Sequence, residues 1–393
     1  PMSDTANRIT ELSKQPIGLM RCPMTTLSLC ALCTLMPVQA PAQPIDLLAS
    51  MSLWERHGGS AESFELVDGQ LTACWSREEP AALLTRRDFE NFNLTFEYEI
   101  SQWGESGLFI HAPRNGAFRA GLEIELADTA GWPPSPYTAG AIFRHVPPAA
   151  DAVRKHGEWN TVHVRMDWPR LVVKINDQTV QNLDLAAHEE LRYTLRRGAI
   201  GFQSLGWPIT IRNLKLQPLP DTENAVALFN GNNLAGWKIE IGNARWDVRN
   251  EAIIGADGDG YLRHEGQYQD FDLRLYIRTS PAANGGVYFR WLGYEPFPDR
   301  GYEVQILDLH GAIMPTGSIY GLARGNDLLV TPGQWQLLQL FVREKHALVR
   351  LNGVTCAEST QLDSVRPGHI TLQMHRGDAS IEFKDIHLTP ADR

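Results

Sequence analysis

"GYEVQILD", residues 301–308, alternates apolar and polar side chains, and "GLEIELAD", residues 121–128, nearly repeats it. Alternation with a period of two marks a half-buried strand, in which every second side chain faces the core. Val304 and Ile306 therefore share one face, and Glu303 and Gln305 share the other. In the earlier stretch Glu123 and Glu125 take the same two places, and Asp128 matches Asp308. Glutamate is a poor strand former, so an acidic side chain at the same place in both stretches asks for a reason.

The repetition extends outward from these strands. "FELVDGQLTA" (64–73) matches "WDVRNEAIIG" (246–255), "NFNLTFEYEI" (91–100) matches "DFDLRLYIRT" (270–279), and "SGLFIHA" (106–112) matches "GGVYFRW" (285–291). Further on, "AGAIFR" pairs with "TGSIYG", "GEWNTVHVRM" with "GQWQLLQLFV", and "LVVKINDQ" with "ALVRLNGV". Nearly every piece alternates over five to eight residues between Gly, Pro, Asn or Asp turn signals. Many short strands and few helical periods predict an all-β chain with one antiparallel sandwich per half. Residues 181–192 are the stretch that reads as a short helix, "NDQ" (176–178) and "NGV" (352–354) read as hairpin turns, and "ADGDGY" (256–261) reads as a turn. The Pro-rich "QPLPDTEN" (217–224) reads as the linker between a first repeat at 50–217 and a second at 225–390.

Composition narrows the function classes. The 393 residues are 43% hydrophobic and 21% charged with a formal net charge of −10, so a phosphate-binding surface, and with it nucleic acid, is not expected. Eleven Trp residues supply flat faces that suit sugar rings as well as cores. Residues 20–43, "MRCPMTTLSLCALCTLMPVQAPAQ", carry a basic start, a short apolar run and the small residues Ala40 and Ala42. This pattern predicts a cleaved export signal within residues 1–42, hence a periplasmic or secreted protein with no membrane attachment after cleavage. Removal of Cys22, Cys30 and Cys33 leaves Cys74 and Cys356 at non-equivalent places, so no repeated disulfide framework exists.

"LFNGNNLAGWK" (228–238), "NGGVYFRW", "GYEVQILD", "TGSIYG", "GQWQ", "VRLNG" and "ITLQMH" occur in that order. Together they resemble the 3-keto-disaccharide hydrolase domain family over residues 225–390, with residues 50–217 as a divergent copy without the "LFNG…GW" opening. The resemblance implies two tandem concanavalin A-like jelly-roll β-sandwiches and cleavage of glycosides oxidised to a ketone at sugar carbon 3. In such a fold the polar face of the inner strands lines a sugar groove, which gives Glu303 a role beyond facing solvent. With the resemblance, Glu303, His375 and Asp308 are the expected catalytic residues, and Arg290, Gln305, Tyr320, Gln373 and Trp291 the expected substrate contacts. In the first copy Glu123, Glu125, Asp128 and His111 form the candidate second site, although Leu205 replaces His375 and His111 replaces Arg290. No certain cofactor is implied; a divalent ion on Glu303, Asp308 and His375 is left open. Two other readings stay open, a non-catalytic lectin and a two-carboxylate glycoside hydrolase.

Overall fold

A computed structural model of the chain describes residues 43–73, 80–293, 301–309, 311–326, 331–375 and 378–391. The expected export signal and Cys74 lie outside the described residues. The alternating segments do form strands, arranged as two sandwiches of an eight-stranded and a five-stranded antiparallel sheet. In the first sandwich the five-stranded sheet runs Trp54–His57, Ala81–Thr85, Ala199–Ser204, Glu105–Ala112, Leu122–Ala127. In the second it runs Trp237–Gly242, Gly260–Tyr268, Gly368–His375, Asn284–Trp291, Tyr302–Leu307, which is the same order. Inward side chains such as Val287, Val304, Ile306 and Leu372 are fully buried in the second core, leaving the opposite face of this sheet for polar groups.

Three details differ from the sequence reading. The first sandwich starts ahead of residue 50, because Ile45–Asp46 pairs with Ile209–Pro218 as Val226–Ala227 pairs with Ser380–Pro390. Its opening also keeps the tie made by "LFNG…GW". Trp54 Nε1 donates to Leu47 O at 2.7 Å, and Trp237 Nε1 donates to Leu228 O at 2.7 Å. The stretch 181–192 is no α-helix: the strand Gln178–Asp184 runs through its start, and two 3-10 turns follow, Leu185–Ala187 and Leu191–Tyr193.

The segment around those turns holds the two sandwiches together within one compact unit of the described residues. Leu195 is buried with Tyr276 and Leu337 of the second repeat, and Tyr193 packs on Phe341 with ring centroids 4.8 Å apart. The linker is fastened as well. Thr222 and Glu223 donate their backbone N–H groups to the Glu90 carboxylate at 2.9 Å. Among the described residues no helix is long and apolar enough to cross a membrane.

Candidate active site

The outward face of the second five-stranded sheet is set by strand register. Tyr288 lies opposite Glu303, Gly286 lies between Gln305 and Gln373, and Asn284 lies between Leu307 and His375. Residues paired across antiparallel strands point to one face, so these side chains meet above the sheet. They line a cleft of about 660 Å³. The exposed Leu309 and Ile313, with Met314, line its apolar part. The free edge of Tyr302–Leu307 is covered by the following segment, whose Tyr320 donates its N–H to Glu303 O at 2.9 Å. That bond brings Tyr320, half exposed, to the cleft.

Glu303 is the carboxyl of the cleft, and its environment shifts it strongly. Burial pushes its carboxyl up to about 7, against the pull of the Tyr288 hydroxyl, which donates to Oε2 at 2.9 Å. The carboxyl leans across Gly286, where an added Cβ would sit 2.4 Å from Oε1. A glycine at 286 is therefore a spatial requirement of the acid beside it. Burial and the Glu303 charge push Tyr288 well above an ordinary phenol, so it remains a proton-bearing donor. His375 lies at the cleft with Nδ1 3.0 Å from Asp259 Oδ1. Gln373 donates to Tyr261 Oη at 3.0 Å, and Gln305 donates to Asn284 Oδ1 at 2.9 Å.

Glu303, His375, Gln305, Tyr320 and Gln373 are thus brought together as the sequence leads one to expect. Arg290, Trp291 and Asp308 are not. A register break between Tyr288 and Trp291, with Arg290 at φ 50°, ends the alternation that would have kept Arg290 beside Tyr288. Arg290 is 1% exposed and donates to Gln269 O, Ser364 O and Asp270 Oδ1. Trp291 is fully buried with its ring stacked on Tyr261 at 5.2 Å, so it supports the floor and offers no face to a sugar. Asp308 accepts the hydroxyls of Thr279 and Thr316, which fixes the turn after the strand. It does not join Glu303 and His375 as a ligand set, and no group of three or more His, Cys, Asp or Glu is gathered for a metal among the described residues. The residues missed were Tyr288, Asn284 and Tyr261. Alternation in "NGGVYF" puts Asn284, Gly286 and Tyr288 on one face, and that was the available signal.

The first repeat keeps the scaffold and replaces several of the cleft's side chains. Glu123 leans over Gly107 as Glu303 does over Gly286, with a Cβ there 2.1 Å from Oε1. Strand register puts Phe109 opposite Glu123 and Ala82 opposite Gln203, in the places of Tyr288 and Tyr261. Leu205 follows that strand where His375 ends its own. His111, a member of the candidate second site, is 1% exposed and hydrogen-bonded to Glu90 O at 2.7 Å. It takes the structural place of Arg290, at φ 51° in its own strand, and burial lowers its pKa. Asp128 accepts the Trp103 N–H at 3.0 Å and meets His156, again at a turn. Glu125 is 2% exposed, and burial, then the charges of Glu123 and Glu105, raise it to about 9.

A polar sheet face carrying a near-neutral carboxyl beside Tyr288 and Tyr320 forms a cleft of a size that suits a small ligand. The family described as 3-keto-alpha-glucoside-1,2-lyase-like domain matches residues 46–217 and again 224–389, and the chain belongs to it. Among solved structures, a candidate glycosyl hydrolase from Parabacteroides distasonis ATCC 8503 is 20% identical at a TM-score of 0.41, covering 45% of this chain and all of that one. A second candidate glycosyl hydrolase from that organism is 25% identical at 0.34, covering 43% of this chain and 79% of the other. The carbohydrate-binding module CBM66 of Bacillus subtilis is 10% identical at 0.32, covering 42% and 95%. No curated protein matches the chain.

Proposed function

We propose that the second repeat cleaves glycosides bearing a ketone at carbon 3, with Glu303 as the base that removes the hydrogen on carbon 2. The observation that carries this reading is the Glu303 carboxyl itself, half-buried at the cleft and balanced near neutrality. A ketone at carbon 3 acidifies the neighbouring C2–H bond, so a carboxylate suffices where an ordinary glycoside would resist. The C2–H electron pair moves into the enolate, then forms the C1–C2 double bond as the C1–O1 bond breaks. Glu303 holds the proton taken from carbon 2, and His375 at the same cleft is the candidate to protonate the departing oxygen. Asn284 and Gln373 at the same cleft are the candidate donors to the enolate, since the Tyr288 hydroxyl is given to Glu303 and Arg290 is not available. Release at this stage is a lyase reaction; addition of water across the double bond gives net hydrolysis. The two-carboxylate alternative lacks a partner, since Glu303 is the only Asp or Glu lining this cleft among the described residues.

The test uses purified full chain with a matched pair, a 3-keto-glucoside and its unoxidised parent. Turnover is expected for the ketone alone, slowed by deuterium at carbon 2 when proton removal limits the rate. Equal cleavage of both members would remove the reading.

Tyr288→Phe gives a second check, through pH. The base must be ionised, so activity rises with pH through the Glu303 pKa of about 7. Loss of the hydroxyl removes a bond that favours the carboxylate, so the rising limb should move to higher pH. A limb that stays in place, or moves to lower pH, shows that Tyr288 does not tune this base.

A further inference from the structure

The first repeat carries a feature that a purely structural domain does not need. Glu123 is 8% exposed, lines an open groove of about 900 Å³, and its carboxyl has no hydrogen-bond partner among the described residues. Its carboxyl opens to the groove, which leaves those oxygens free for a ligand's own hydrogen bonds. Burial holds Glu123 at about 7, which lets it donate or accept at neutral pH, as a hydroxyl pair requires. Gln203 adds an amide, and Phe118 and Phe143 add rings that suit the C–H faces of a pyranose. Phe143 holds the place of Tyr320, since its N–H bonds Glu123 O at 2.9 Å. Arg114, which lines the same groove, is spent on Thr85 O, Arg86 O and Asp88, and Arg144 lies over the Phe143 ring at 5.2 Å; the two acids Glu105 and Glu123 on the same lining weigh against an anionic occupant. The opposite wall comes from the second repeat, through Gly333, Gln334 and Trp335. The Trp335 ring is steadied by Arg278 at 4.6 Å and Lys384 at 4.4 Å.

We infer that this composite groove is a second sugar site, which binds a neutral pyranose and does not cleave it. The sugar class rests on the reading of the family given above, while the site rests on Glu123 and the shared wall. Retention without cleavage follows from Phe109 and Leu205, which remove the hydroxyl and imidazole that serve Glu303 in the other repeat. A glycan chain held in the first repeat would raise the local concentration of sugar ends for the second.

Calorimetric titration of the full chain with maltose, a neutral glucosyl disaccharide, tests this. Binding is expected, weakened about tenfold or more by Glu123→Leu, as loss of a hydrogen-bonding carboxyl implies. Gln334→Trp, on the exposed loop of the other repeat, should weaken it similarly by filling the wall, and covers the case in which the core substitution disturbs folding. Glu303→Leu should leave this binding in place. Binding lost in Glu303→Leu and untouched by the two groove substitutions would overturn the second site while sparing the proposed function. Binding that follows Glu123 and Gln334 in a protein inert to 3-keto-glycosides would uphold the second site and remove the proposed function. Maltose binding undetectable in the unaltered chain would overturn the second site outright.

Discussion

Glu303→Gln is expected to lower turnover of a 3-keto-glycoside by roughly a hundred- to ten-thousand-fold, the usual contribution of a general base. The substitution keeps the size of the side chain and its ability to accept from Tyr288 Oη, which now lies 2.9 Å from Oε2. It therefore removes the proton acceptor and little else. Substrate affinity should be retained, so the loss should fall on kcat and leave KM nearly constant. The variant should also lose the pH dependence of the rising limb near 7, because the titrating group is gone. Unchanged turnover would move the chemistry elsewhere and revive the lectin reading for this cleft.

Arg290→Ala is expected to cost about 3 kcal/mol of stability, as when one partner of a buried ion pair is removed. The guanidinium is 1% exposed and ties Gln269 O, Ser364 O and Asp270 into one knot, so its loss leaves three acceptors facing a hole. Arg290→His should recover part of the loss, because His111 makes the corresponding bond to Glu90 O in the first repeat. Denaturant unfolding measures the stability, and turnover per folded molecule separates the two roles for Arg290. A structural role predicts nearly normal turnover in the folded fraction. A fall of a hundredfold or more with unchanged stability would return Arg290 to the enolate.

The two cases show which properties a linear pattern carries. Alternation in "GYEVQILD" and "GLEIELAD" determined that these segments are strands, which face is polar and that the chain repeats, because side-chain direction in a strand depends only on local geometry. The same rule put Glu303, Gln305, Gln373 and His375 on usable faces, and the structure gathers all four at one cleft. It misplaced Arg290 and Trp291, because a bulge between Tyr288 and Trp291 changes the phase, and no residue there announces it. Asp308 was read as catalytic because its hydroxyl partners, Thr279 and Thr316, come from other segments. The near-neutral Glu303 likewise depends on burial by neighbouring strands, and the shared wall of the first groove depends on the contact between repeats. Strand identity, repeat number and polar face were thus determined by the sequence itself, since each follows from neighbours along the chain. Which acids are desolvated, which cations are already spent and where the two repeats meet were decided by tertiary structure, since each depends on groups that only folding brings within a few ångströms.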